Sequence, residues 1–207
     1  MNKFRMLAIV GSLILGLSPA ASANAEGETP LQQEIDQVLA NTEGGVQISQ
    51  NEIAWDGGDA IMSFPLPGET QAPVSSPAAQ RLQAKAAGKP AGTVEPASTP
   101  GDVTILGSTD SCPTQVFGND WYCFYQHPNY GGHRLQWNAT HKSPVYFSKY
   151  DFANETSSWV NNGAKKIRVF DDYWVNNPTE LWNEYGHDSS TFVGSYWGDR
   201  ADYFITN

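Results

Sequence analysis

The sequence is short of basic side chains. It contains 12 Lys and Arg against 22 Asp and Glu, which gives a formal net charge of −10. A surface that binds nucleic acid or an anionic membrane needs positive charge to neutralise phosphate groups, so we expect no partner of either kind. The acidic balance is compatible with divalent cations.

A long apolar run is also missing. The chain begins with Lys3 and Arg5, continues with an apolar stretch of 12 residues, Met6–Leu17, and then has small residues up to Ala25. This is the layout of a secretory signal, whereas a membrane-spanning helix needs about 20 apolar residues. We therefore expect residues 1–25 to be a signal peptide, and the mature protein to be secreted, extracellular and free of the membrane.

Cysteine occurs only twice, as Cys112 and Cys123. An isolated pair in an exported chain usually oxidises, so we expect a disulfide between the two. A zinc site would need histidine or further cysteine at short spacing. The four histidines show no such clustering; they are His127, His133, His141 and His187.

Aromatic residues are scarce in the first half of the chain. Of 25 Phe, Trp and Tyr residues, 22 lie in residues 111–207, which is therefore the stretch able to form a substantial core. Its aromatic and β-branched residues come in short runs broken by Asn, Gly, Pro and Asp, and no helical period is present. This pattern predicts an all-β domain over residues 111–207.

Residues 26–67 predict a small helix followed by a β-hairpin. TPLQ (Thr29–Gln32) has the form of a capping box with proline at the first helical position. VQISQNEIAWDGGDAIMSF then predicts two strands around the turn Asp56–Asp59. The pattern is compatible with a propeptide, a docking segment or an appendix to the main domain.

Residues 68–110 predict a flexible, disordered linker. Pro, Ala, Ser and Gly dominate this stretch. A short Ala-rich helix near 77–87 fits the pattern, but it has no apolar stripe with which to dock.

The C-terminal block repeats itself at a spacing of 45 residues. The repeat aligns Tyr125 with Phe170, Gly132 with Asn177, Trp137 with Trp182, Phe147 with Phe192, Phe152 with Trp197, and Asn154 with Asp199. Two copies of about 45 residues fill the block, which indicates a duplicated unit. Glycine and asparagine accept a left-handed backbone most readily, so the aligned pair predicts a folded hairpin in each copy.

The first copy carries the signature of a known fold. Tyr125, Tyr130 and Gly132 match the pattern aromatic, four residues, aromatic, any residue, glycine that marks βγ-crystallin Greek-key motifs. Phe170 and Asn177 match it loosely in the second copy. The block therefore resembles one βγ-crystallin domain, and this resemblance implies a Greek-key β-sandwich of two motifs, which we expect to be monomeric.

The wider layout resembles the Streptomyces metalloproteinase inhibitor family. The resemblance rests on the signal peptide, the acidic N-terminal segment, CPTQVFGNDWYCFYQHPNYGG (112–132) and NETSSWVNNG (154–163). It implies a non-catalytic inhibitor whose partner is an extracellular metallopeptidase. The founding type has a second disulfide near its protease-facing loop, and this chain has no second cysteine pair, so the inhibitory loop stays unassigned.

Calcium-binding βγ-crystallin domains carry the pattern Asp/Asn, Asp/Asn, two variable residues, Ser/Thr and Ser once per motif, and both copies keep parts of it. Side-chain and backbone oxygens suit calcium, which takes six to eight such ligands. The candidate ligands are Asn154, Glu155, Ser157, Asp199, Arg200 and Asp202. No cofactor is required, but a calcium-stabilised extracellular or cell-envelope module is kept as an alternative. Six tryptophans in the block leave a carbohydrate-binding module as a third.

Enzyme signatures are missing. The sequence has no HExxH zinc motif and no GxSxG elbow. His187, Asp188 and Ser189 are consecutive, so their side chains diverge where a catalytic triad needs them to converge. Asp171 and Asp172 are adjacent and do not face each other across a cleft, as a glycosidase pair must. We predict no catalytic residue.

Overall fold

A computed structural model describes residues 28–86, 110–113, 121–172 and 177–207. The predicted signal peptide, at residues 1–25, lies outside these ranges. Within them, no helix combines the length and the apolar character that crossing a bilayer requires.

The described chain contains two α-helices and eleven strands. In chain order they are α1 (Pro30–Asn41), β1 (Val46–Ser49), β2 (Glu52–Trp55), β3 (Ala60–Ser63), α2 (Pro77–Ala86), β4 (Tyr122–His127), β5 (Gly131–Trp137), β6 (Val145–Tyr146), β7 (Ser158–Asn161), β8 (Ile167–Asp171), β9 (Thr179–Glu184), β10 (Asp188–Ser190) and β11 (Tyr203–Thr206). Two short 3-10 helices lie at Pro128–Tyr130 and Phe147–Tyr150.

Two sheets form a Greek-key sandwich, which confirms the predicted βγ-crystallin-like fold. One sheet has the order β1-β2-β3-β5-β4-β7-β10 and the other β6-β11-β8-β9, with all strand pairs antiparallel. The first motif is β4 to β7 and the second is β8 to β11. Each motif places its third strand in the sheet of the other, because β6 pairs with β11 and β10 pairs with β7.

The two motifs repeat at the predicted spacing. Strand β7 begins at Ser158 and β11 at Tyr203, and β4 begins at Tyr122 and β8 at Ile167, so both pairs are 45 residues apart. The aromatic rings between the sheets form one core: those of Phe124 and Phe204 stack at 5.3 Å. Such pairs stabilise a core beyond the area that they bury.

Trp137 and Trp182, which the repeat aligns, both contact this core. Trp137 is fully buried, and Trp182 is half-buried at the edge of the same cluster. The ring of Trp137 lies 4.8 Å from that of Phe204. Equivalent positions of the repeat therefore have related surroundings.

The N-terminal helix and hairpin extend the sandwich. Strand β3 pairs with β5, with Ala60 opposite Trp137, so the hairpin continues the larger sheet. Ile35 of α1 is fully buried in the core shared by both sheets. The predicted cap is present, since the backbone N–H of Gln32 donates to Thr29 Oγ1 at 3.2 Å.

The predicted linker starts too early. Residues 68–86 are ordered against the sheet: Gln71 bridges to Gly132, and α2 buries Ala79 against Ala54 and Ile61. An alanine-rich helix shows no stripe of large apolar residues in its sequence. The small alanine side chains nevertheless let the helix approach a sheet closely. The expectation that α2 has nothing with which to dock is therefore wrong. The rest of the predicted linker, residues 87–109, lies outside the described ranges.

A buried arginine joins this N-terminal segment to the sandwich. The guanidinium of Arg134 is fully buried and donates to the carbonyl of Pro73 at 2.7 Å, to Ser63 Oγ at 3.0 Å and to Gln136 Oε1 at 2.8 Å. Burial lowers the pKa of Arg134. A buried charge is costly without hydrogen bonds, so the folded sandwich depends on the Ser63 hydroxyl and the Pro73 carbonyl as acceptors for Arg134.

Candidate functional site

The first Greek-key motif contains the predicted folded hairpin. The rings of Tyr125 and Tyr130 lie 5.3 Å apart, and Tyr125 is buried with its hydroxyl donating to the carbonyl of Asp110 at 2.7 Å. Gly132 has φ +71°, and a Cβ there would lie 2.7 Å from Gln126 Oε1. This position therefore needs glycine both for its backbone conformation and for space.

A serine holds the hairpin closed. Ser158 Oγ donates to the carbonyl of His127 at 2.7 Å and accepts from the backbone N–H of Tyr130 at 3.1 Å. In the second motif the ring of Phe170 instead stacks on Tyr203 at 4.9 Å. Asn177 is exposed, and the residues just before it, 173–176, lie outside the described ranges.

The predicted disulfide between Cys112 and Cys123 is confirmed. Cys112 is buried against Tyr125 and Val160, so the bridge joins the segment that enters the domain to strand β4. The side chain of Asn162 adds a second tie, because its Nδ2 donates to the carbonyl of Cys112 at 3.3 Å.

The structure brings the two candidate calcium loops together. Asn154 and Asp199 both have a left-handed backbone, with φ +60° and +56°. The N–H of Asn154 donates to the carbonyl of Ala201 at 3.0 Å, and the N–H of Asp199 donates to that of Thr156 at 3.3 Å. The two donors are 45 residues apart, and so are the two acceptors, so the bonds are equivalent under the repeat.

The six candidate ligands divide between two clefts that share Asn154 and Asp199. Glu155 and Ser157 line one cleft, of about 580 Å³, while Arg200 and Asp202 line the other, of about 670 Å³. Ser157 Oγ lies 3.4 Å from Asp199 Oδ1.

The two clefts differ in their fit to a cation. In the larger one, the guanidinium of Arg200 donates to Asp171 Oδ2 at 2.6 Å, so a positive charge already lies there. Asp202 Oδ2 also accepts from the N–H of Asp172, at 2.7 Å. In the smaller cleft, Glu155 Oε2 accepts from Gln126 Nε2 at 3.0 Å and Asp199 Oδ1 accepts from Ser157 Oγ at 3.4 Å, and no Lys or Arg side chain lines it among the described residues. Its carboxylate, amide and hydroxyl oxygens are of the type that calcium prefers.

Carboxylates dominate the electrostatics of both clefts. Five carboxylates and one guanidinium line them; the carboxylates are Glu155, Asp171, Asp172, Asp199 and Asp202. Within the described ranges, no group of three or more His, Cys, Asp or Glu side chains is arranged to hold a metal ion.

One feature of this end of the domain was missed in the sequence. Residues 191–200, which we call the aromatic loop, connect β10 to β11 and expose Phe192 and Tyr196 to solvent, at 50% and 68%. The repeat aligns Phe192 with Phe147, but the spacing alone does not say that one ring faces solvent. The loop borders the smaller cleft, which Phe192 helps to line.

The five tryptophans of the C-terminal block within the described ranges form no sugar-stacking surface. Three are buried, Trp121, Trp137 and Trp159, and the other two described, Trp182 and Trp197, are half-buried against the core. Sugar stacking needs exposed ring faces, so these five residues serve the core.

Comparison with known protein families gives a direct functional indication. Residues 108–181 match the model of peptidase inhibitor family I36. The matching segment contains Cys112 and Cys123, the whole first motif and the start of the second. It ends before the aromatic loop. This match supports a peptidase inhibitor role.

One solved structure matches part of this chain. It is described as "Evolution of the eye lens beta-gamma-crystallin domain fold", is 18% identical, and the match covers 46% of this chain and 89% of the other, with a TM-score of 0.35. The strand order described above carries the fold assignment independently. A search of curated proteins finds no match.

Proposed function

We propose that this protein is a secreted, non-catalytic inhibitor of metallopeptidases. The match of residues 108–181 to peptidase inhibitor family I36 is the observation that carries the proposal. The layout of a secretory signal in residues 1–25 supports the extracellular location.

The framework suits inhibition because it is pre-ordered. An inhibitor that presents an already ordered surface loses little conformational entropy when it binds. Here the disulfide ties the entry segment to β4. The hairpin of the first motif is tied to the aromatic loop, since the N–H of Asn129 donates to the carbonyl of Thr191 at 2.8 Å.

Titration of a peptidase with the full chain tests the proposal. A thermolysin-type metallopeptidase should lose its activity near one equivalent of protein, while a subtilisin-type serine peptidase, which has no catalytic metal, should keep its activity. Unchanged turnover of a panel of metallopeptidases at excess protein would refute the function.

A second candidate function is a calcium-stabilised extracellular module. The paired loops of Asn154 and Asp199, and the oxygen-rich smaller cleft, favour it. Binding to the folded state alone raises the melting temperature, so calcium should raise Tm in the wild type and not in Asp199→Ala. Asp188→Ala, which removes an exposed carboxylate of β10, is the matched control and should keep the calcium response. A Tm that is independent of calcium would exclude this candidate.

A further inference from the structure

We propose that the aromatic loop contacts the target peptidase, with Phe192 entering an apolar pocket beside the catalytic metal. This inference rests on the proposed function and names the surface that performs it. Three observations carry it: the exposure of the two rings, the rigidity of the loop and the charge around it.

Comparison of the two motifs shows how Phe192 comes to face solvent. The N–H of Phe147 donates to the carbonyl of Asp202, and the matching bond in the second motif runs from Val193 to Ser157. Val193 therefore takes the inward place, and the sequence-aligned Phe192 is 50% exposed. Phe152 and Trp197, which the repeat also aligns, both face the core: Phe152 is buried and Trp197 packs against the same cluster. Two exposed aromatic rings on one short loop are typical of a contact with a partner, because aromatic residues are enriched at interfaces.

Hydrogen bonds hold the loop in one conformation. The N–H of Val193 donates to the carbonyl of Ser157 at 2.9 Å, and the N–H of Gly198 donates to that of Gly194 at 2.8 Å. Gly194 has φ +93°, a conformation that other residues rarely adopt. Binding through such a loop requires little further ordering.

Arg200 braces the second exposed ring. Its guanidinium carbon lies 5.1 Å from the ring centre of Tyr196, and its Nη1 donates to the Tyr196 carbonyl at 3.3 Å. The same guanidinium is fixed by Asp171. The loop therefore presents Phe192 and Tyr196 on a support anchored in the second sheet.

The charge around the loop selects the kind of partner. Glu155 and Asp199 line the same cleft as Phe192, and three further carboxylates lie in the adjoining cleft. An aromatic ring surrounded by negative charge complements an apolar pocket that lies beside a cation. The active site of a metallopeptidase provides this combination through its bound metal ion, and that of a serine peptidase does not.

Two substitutions with a matched control test the inference. Phe192→Ala and Tyr196→Ala in the full chain should each raise the inhibition constant against the thermolysin-type peptidase, by about 30-fold or more for Phe192, the effect expected of a central contact. Tyr185→Ala removes a ring that is 60% exposed on the connection before β10, away from the aromatic loop, and should leave the constant unchanged. Melting temperatures identify any variant that fails to fold.

The outcomes separate this inference from the proposed function. In one outcome the wild type inhibits the metallopeptidase while Phe192→Ala and Tyr196→Ala have the same inhibition constant as Tyr185→Ala. That result would overturn this inference and leave the proposed inhibitor function standing. A wild-type chain that inhibits no metallopeptidase would overturn both. If Phe192→Ala fails to fold, Phe192→Ser and Phe192→Leu repeat the measurement, and loss of inhibition in the first with retention in the second supports an apolar pocket.

Discussion

The two Greek-key motifs use the connection between their third and fourth strands in opposite ways. In the first motif this connection buries Phe147 and Tyr150, and the ring of Trp55 from the N-terminal hairpin packs on Tyr150 at 5.2 Å. In the second motif the same connection exposes Phe192 and Tyr196, and the side chains that contact the Tyr196 ring, Trp197 and Arg200, belong to the connection itself. A duplicated unit thus keeps one copy for stability and leaves the other accessible to a partner.

Removal of the N-terminal segment is the most severe test of this contrast. A chain of residues 111–207 lacks the cover of the first connection and leaves the guanidinium of Arg134 without the Pro73 carbonyl and Ser63 Oγ. Breaking such a buried network costs about 3–5 kcal/mol, and exposure of the core adds to it. We expect this fragment to lose its cooperative thermal transition and to bind a hydrophobic dye. A fragment that melts as sharply as the full chain would show the segment to be dispensable.

The aligned phenylalanines provide a matched pair. Phe147→Ala should reduce the free energy of unfolding by about 3–5 kcal/mol, because it opens a cavity in the core. Phe192→Ala should change it by about 0.5 kcal/mol or less, since half of the ring already contacts solvent. Denaturant unfolding of both variants measures the difference. Similar losses would contradict the division of roles between the motifs.

Glu184 should make the second motif sensitive to pH. It lies where the first motif has Ala139; its carboxyl is fully buried and accepts one hydrogen bond from Trp182 Nε1, at 3.1 Å. Burial raises the pKa of this carboxyl well above its ordinary value, and the bond from Trp182 lowers it by less. Since the folded state holds the proton more tightly, the stabilisation from the protonated form is complete below the ordinary pKa and is lost as pH rises through the folded pKa.

Glu184→Gln should remove this pH dependence. The variant gains stability relative to the wild type as pH rises from 5 to 8, by up to about 1.4 kcal/mol per pH unit until the folded pKa is passed. The half-buried His141, whose pKa is lowered mainly by burial, contributes to both proteins and cancels in the difference. Parallel unfolding curves at pH 5 and pH 8 measure it. A difference that does not vary with pH would show that Glu184 ionises without cost.

Much of the fold was predictable because its determinants are local. The spacing of Tyr125, Tyr130 and Gly132 encodes a hairpin whose backbone requires glycine, and the repeat gives the second motif. The pairing of Cys112 with Cys123 was predictable because the chain has no other cysteine. The docking of α2 was not predictable, because it depends on close approach of alanine to a sheet formed by distant residues.

The candidate site was predictable only in part. The pattern around Asn154 and Asp199 identified two loops, and the structure shows that they meet. The position of Arg200 against Asp171, and the outward direction of Phe192, arise from packing between strands far apart in the sequence. Residue types alone do not carry that information.

The pairing of β3 with β5 also changes what the larger sheet offers to other chains. Without the hairpin, β5 would be a seven-residue edge with unpaired backbone groups, which is a template for edge-to-edge aggregation. With it, the sheet ends at β1, a four-residue strand whose register with β2 is irregular between Gln47 and Ser49. We therefore expect the N-terminal segment to limit self-association of the protein at high concentration as well.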